Sequence, residues 1–292
     1  MMGKSSIVDT AYQHCREITF REAKNFYFAF ITLPSPKRRA IYVAYAFARM
    51  CDDIADGSDS DSVKRDQLQQ VRESLNAAYR GLPDGLLFIA LADVAMRYNV
   101  PEQYFHNLVS GIEIDIWKSR YSTFTELEEY CYGVAATTGL ICGEIFGYSD
   151  VIAKEYAVDL GLAMQLTNIL RDIKEDGERN RIYLPQEEIR IYGYSEDELL
   201  RGIINEQYLS LMRFQYQRAR SHYEKARNIL PLVPLRSRAC VAILHGLYSK
   251  LLDRIRDCDF DVFSRRIRLS NREKLLLTTQ LWLTNFLPIP KS

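Results

Sequence analysis

The chain has 292 residues, enough to bury a substantial core. Its 38 basic residues equal its 38 acidic ones, so no net field draws it to nucleic acid. Six cysteines without a Cys-x-x-Cys pair, beside only four histidines, argue against a zinc site and for a reduced, cytoplasmic setting.

Taken in chain order, the apolar periodicity is helical almost throughout. The opening segment carries Lys4, Asp9, His14 and Arg16 with no apolar run, so no signal peptide is read there. Helices are predicted over 7–15, 25–32, 36–56, 60–80, 85–98, 101–117, 125–146, 151–175, 186–192, 195–202, 205–230, 236–257 and 271–287. Gly81-Leu82-Pro83 and Asn99-Val100-Pro101 supply stops, and Ser35-Pro36 supplies a start. No stretch alternates like a set of strands, no repeat emerges, and no run reaches the length of a membrane span. The prediction is a single all-α domain over 1–292. The apolar tail at 275–290 is read as packing on the body, with a bilayer surface as its alternative. A monomer or weak homodimer is expected.

Two aspartate clusters follow apolar helical runs. Asp52-Asp53-Ile54-Ala55-Asp56 comes after residues 40–51 (AIYVAYAFARMC), and Asp172 to Asp176 comes after 160–170 (LGLAMQLTNIL). A four-residue spacing stacks carboxylates on one helix face, where they repel unless paired or metal-bound. Mg²⁺ typically takes one or two carboxylates plus substrate phosphates. Two distant clusters thus suggest opposite walls of a site that grips a diphosphate. Tyr45, Arg49, Asp52 or Asp53, and Asp56 share one stripe. Gly161, Gln165, Asn168, Asp172 and Asp176 share another. Asp253, Asp257 and Asp261 have the same spacing, but Arg254 and Arg256 are interleaved and apolar residues are few, so a solvated helix end is expected there. The loop at 177–185 is polar and reads as a mouth loop whose Arg179 and Arg181 could clamp phosphate. Small residues between Gly133 and Gly139 suggest close packing or ligand space. Phe26 and Phe30, four apart, face one wall.

Together, residues 45–56 (YAFARMCDDIAD), 130–139 (YCYGVAATTG) and 165–185 (QLTNILRDIKEDGERNRIYLP) resemble the squalene and phytoene synthase family, the head-to-head prenyl transferases. The likeness spans about residues 12–277, and 259–270 (DFDVFSRRIRLS) resembles bacterial hopanoid-pathway members. It implies a helical isoprenoid-synthase fold with a central cavity. It implies Mg²⁺, with Mn²⁺ as a substitute, held by Asp52, Asp53, Asp56, Asn168, Asp172 and Asp176. Arg49, Arg171 and Arg181 would hold diphosphate, with Tyr45, Tyr183, Tyr248 and Gln165 near it. Tyr130 and Tyr132 would lie beside the reacting carbons, Phe26 and Phe30 against a prenyl tail, and Asp115 is a further candidate. The implied reaction joins two farnesyl diphosphates into presqualene diphosphate or a squalene-type product. Phytoene synthesis from geranylgeranyl diphosphate is the alternative, and a non-catalytic assembly factor of the same fold is a third reading. No glycine motif for NADPH is evident. Many members carry a Ser-rich stretch where this chain has Ala23-Lys24-Asn25-Phe26.

Overall fold

A computed structural model describes residues 2–23 and 26–286; Lys24, Asn25 and the chain end after 286 lie outside it. The first half runs α1 Met2–Glu22, a short α2 Tyr27–Phe30, α3 Ser35–Ala55, α4 Asp61–Tyr79, α5 Leu86–Tyr98, α6 Glu102–Trp117 and α7 Phe124–Cys131. A π-turn, Tyr132–Ala136, leads into α8 Thr137–Phe146. The second half runs α9 Ala153–Arg171, α10 Ile173–Glu178, α11 Gln186–Ile191, α12 Glu196–Leu200, α13 Glu206–Ala226, a 3₁₀ turn Arg227–Leu232, α14 Leu235–Asp257 and α15 Asn271–Phe286. Among the described residues a single isolated bridge, Arg120 to Ile182, stands in for a sheet. The all-α expectation holds.

Local chemistry sets the ends. Pro36 sits in the first turn of α3, where its missing N–H costs nothing. Asn99 ends α5 in the left-handed region at φ 51°. Ser195 and Glu198 cap α12 reciprocally. α9 lies at the centre, packed against α8, α13, α14 and the π-turn, while α3 packs on α1, α5, α6 and α8. α15 lays Leu277 and Leu281 on Gly246 of α14 and leaves Leu275, Leu276 and Leu283 exposed.

Two predicted helices are interrupted. The segment read as 125–146 carries the π-turn where Gly133 meets Gly111 of α6 backbone to backbone. A Cβ on Gly111 would fall 2.6 Å from the Gly133 carbonyl carbon. The Thr137 amide and hydroxyl both donate to the Tyr132 carbonyl, the hydroxyl at 3.0 Å. The segment read as 151–175 breaks at Asp172, whose φ and ψ are −102° and 15°. The Asp176 amide still donates to the Asp172 carbonyl at 2.8 Å. The carboxylates therefore keep their spacing across the break. The first helix is also longer than the predicted 7–15.

These contacts separate two kinds of glycine. Gly133→Ala should destabilise the fold by about 1–3 kcal/mol through overpacking. Gly143 has open space where its Cβ would go, so Gly143→Ala should stabilise it, by at most about 1 kcal/mol. Denaturant midpoints of the two variants check this.

Candidate active site

Helical stripes from α3, α8, α9 and α14 wall an apolar cavity of about 300 Å³. On α3 the stripe is Ile41, Ala44, Tyr45, Ala48 and Asp52; on α9 it runs from Ala153 to Gln165 and Asn168. Apart from Lys154 near the start of α9, both stripes are apolar along the cavity and end polar, so its middle is hydrocarbon and one end carries acid and amide. Phe26, Phe30 and Tyr248 complete that wall. The Phe26 ring stacks on Phe30 at 5.9 Å and on Tyr248 at 5.8 Å, and meets Tyr45 at 6.1 Å.

The acidic end is crowded. Burial, then the Asp56 charge, pushes the Asp52 carboxyl up to about 7. Burial, then Asp172, does the same to Asp176, also to about 7. Asp115 is raised too, chiefly by burial, although hydrogen bonds from Tyr130 and Tyr183 act against it. Asp52 meets water at the cavity mouth, which screens part of its effect. Arginines supply partial compensation. Arg181 pairs with Asp56 at 3.1 Å and also donates to the Asp115 carbonyl; Arg179 reaches Asp56 at 3.3 Å. Arg171 pairs with Asp172. Arg266 reaches Asp172 at 2.9 Å and Glu175 at 3.3 Å.

The donor set suits a hard divalent cation. Asn168 borders the cavity with a buried Oδ1 that has no hydrogen-bond partner among the described residues, and Glu175 Oε2 is likewise orphaned. No group of three or more acidic, His or Cys residues among those described forms a closed cage. Mg²⁺ sites that share their coordination with water and substrate phosphate are open in this way.

Not every sequence candidate reaches the cavity. Asp53 turns away: it pairs with Arg49 at 2.6 Å in a shallow groove with Ile18 and Arg21 on the far side of α3. One residue after Asp52 is about 100° around the helix, which is why it leaves the stripe. Tyr132, at the start of the π-turn, is 40% exposed. Tyr130 is buried off the cavity wall, where its hydroxyl donates to Asp115 at 2.8 Å; Tyr183 donates to the other Asp115 oxygen at 2.9 Å. Tyr121 stacks on Tyr183 at 5.7 Å and meets Tyr130 tilted at 5.4 Å. Burial raises all three phenols well above the usual tyrosine range. The Asp253 to Asp261 segment is engaged elsewhere: Tyr216 donates to Asp253, and Asp261 accepts from two backbone amides.

The mouth loop at 177–185 is no free lid. Ile182 donates to the Ser119 carbonyl at 2.9 Å, Gln186 to Tyr121 at 2.8 Å, and the Arg120 guanidinium grips Asn180. Sequence reading also missed a basic pocket beside the mouth. It shares Phe26 and Tyr248 with the cavity and gathers Arg171, Arg254, Arg266, Arg268 and Lys274. The four after Arg171 lie more than eighty residues along the chain, in α14, the loop after it and α15, so no periodicity links them to the aspartates.

The squalene/phytoene synthase family model matches residues 20–273. The chain is 36% identical to 15-cis-phytoene synthase of Synechocystis sp. over 94% of its length and 86% of that protein's. It is 35% identical to chloroplastic phytoene synthase 2 of Solanum lycopersicum, over 99% of this chain and 95% of the other. A dehydrosqualene synthase crystal structure superposes with a TM-score of 0.88 at 28% identity, covering 96% of this chain and 98% of that one. Squalene synthase HpnC from Alicyclobacillus acidocaldarius gives 0.83 at 25% identity, over 87% and 96%. The chain belongs to the squalene/phytoene synthase family and is a prenyl transferase of the head-to-head class.

The raised carboxyls fix a pH dependence. Asp52 and Asp176 hold protons more tightly in the folded chain than when unfolded, where aspartate titrates near about 3.9. Their contribution to stability is complete below about pH 4 and is lost as the pH rises through about 7. In metal-free buffer the melting temperature should therefore fall between about pH 4 and pH 7. The Asp52→Asn, Asp176→Asn double variant should flatten that slope. An equally steep slope in the variant would place the proton uptake elsewhere.

Proposed function

We propose that the chain condenses two farnesyl diphosphates head to head into presqualene diphosphate or a squalene-type product. The observation behind this is the joining of two aspartate walls to one end of an apolar cavity. Asp52 and Asp56 on one side, and Asn168, Asp172 and Asp176 on the other, would hold Mg²⁺. Once bound, the metal supplies neutralisation of the charge that grows on a departing diphosphate.

This chain's own residues do the rest. Arg171 and Arg181 exchange their aspartate partners for diphosphate oxygens, which guanidinium matches in a bidentate way. Arg266, Arg268 and Lys274 extend the cationic surface toward a second diphosphate. The C1–O bond of one substrate breaks, and the electron pair leaves with its diphosphate. The double bond of the second substrate attacks the allylic cation, and proton loss closes the cyclopropane. Apolar walls keep water from the cation. The rings of Phe26, Tyr45 and Tyr248 offer π faces to positive charge without reacting. Likeness to a dehydrosqualene synthase structure and to squalene synthase HpnC supports the shorter tail. Geranylgeranyl diphosphate is the second reading, favoured by relatives at 36% and 35% identity that are named phytoene synthases. Incubation with each diphosphate and Mg²⁺, followed by product mass analysis, decides between them. A thirty-carbon product is expected, and a forty-carbon product alone would transfer the assignment to the second reading.

The ion pairs refine the mutational expectations. Asp176→Asn relieves a crowded carboxyl, so turnover should fall by about 100-fold or more while the melting temperature holds or rises. Asp172 is different, because it is the ion-pair partner of the buried Arg171 and one of two for Arg266. Asp172→Asn should cost a similar factor in turnover and about 1–3 kcal/mol of stability as well. Melting curves beside single-turnover rates separate the two effects.

Arg181→Ala should raise KM, since a phosphate clamp contributes to ground-state binding. Unchanged steady-state kinetics would return Arg181 to a purely structural role.

A further inference from the structure

The end of the cavity away from the aspartates is closed by polar groups. Lys154 lies fourteen residues before Asn168 on α9, about 21 Å along the helix axis. Both residues border the cavity, as does Tyr148. Lys154 Nζ pairs with Glu144 at 2.8 Å and donates to the Tyr104 hydroxyl at 3.2 Å. Tyr148 donates to Glu144 at 3.0 Å. The Glu144 side chain is 12% exposed and that of Lys154 31%. Beside them Lys37 donates to the Phe146 carbonyl at 2.6 Å and to Ser237 at 3.0 Å. A partly buried ion pair is stable only while its partners and remaining water are kept. A hydrocarbon terminus pressed against it strips the water and returns no hydrogen bond.

We propose that the Lys154–Glu144 pair, braced by Tyr104 and Tyr148, is the stop that sets prenyl tail length. This rests on the prenyl-transferase reading above. It assigns specificity to residues remote from the reacting carbons and acting on the tail's far end.

The test compares kcat/KM for farnesyl, geranylgeranyl and geranylfarnesyl diphosphates with Mg²⁺ in three proteins. The first is the wild-type chain. The second, Lys154→Met with Glu144→Gln, makes the floor uncharged. The third, Lys154→Glu with Glu144→Lys, keeps a reversed pair. The uncharged floor should shift preference about tenfold toward a tail one isoprene unit longer than the wild type prefers. The reversed pair should leave the ratio within about twofold. An unmoved ratio in the folded uncharged variant, or an equal shift in the reversed one, overturns the stop while leaving the prenyl-transferase reading intact. A wild type inactive on all three overturns that reading and the stop with it. If the uncharged variant does not fold, Tyr148→Phe removes one brace and reads the same ratio. A shift of about twofold in the same direction supports the stop, and none overturns it.

Discussion

Negative charge concentrated at one end of an apolar cavity is the constraint that organises this molecule. Asp52, Asp56, Asp115, Asp172 and Asp176 cannot all be ionised side by side without compensation. The fold answers with Arg171, Arg181 and Arg266, and by holding protons on Asp52 and Asp176 near neutrality. A bound diphosphate with its cations does not enter a neutral pocket. Under the proposed function it would replace one set of ion pairs with another, each arginine released from an aspartate meeting phosphate and each released aspartate meeting metal.

The rest of the architecture serves to bring the acidic ends together. α3 and α9 each carry apolar residues on a cavity-facing stripe and polar ones at its C-terminal end. The approach of α9 to α8 and the π-turn depends on glycine. A Cβ on Gly161 would fall 2.6 Å from the Ala136 Cα, and one on Gly139 would fall 2.7 Å from the Ala157 carbonyl oxygen. The break at Asp172 frees its carboxylate to meet two arginines while α10 carries Asp176 back toward the mouth. Close packing and ligand space thus share one segment: Gly133 serves the first, and Ala135, Thr138 and Gly143 border the second.

What could be read from the sequence was what has a period. The helices, the two acidic stripes and the amides preceding the second followed from 3.6-residue spacing. Asp52 separated from Asp53 only once the helix was placed against its neighbours. The π-turn and the break at Asp172 escaped because neither alters the apolar pattern. Tyr121, Arg266 and the Lys154–Glu144 floor escaped for another reason. Tyr121 and Arg266 lie in loops, Glu144 lies ten residues from Lys154 across a chain reversal, and contacts between distant segments leave no periodic trace. Asp115 was legible only through resemblance, since a lone acid on a helix says nothing about the two phenols that will meet it.

The fastening of the mouth loop gives the opening two unequal rims. On the side of residues 119–122 the loop is held by main-chain hydrogen bonds, and Tyr121 in that strip packs against Tyr130 and stacks on Tyr183. On the side of residues 263–268 the contacts are Arg266 with Asp172 and Glu175, and Lys174 with the Phe263 carbonyl. The first rim cannot rise without unstacking an aromatic cluster. The second is fastened by long side chains whose pairs weaken with salt and with any competing anion. The two rims thus differ in what would loosen them: the first yields only to unpacking, and under the proposed function the second would yield to a diphosphate that competes for Arg266.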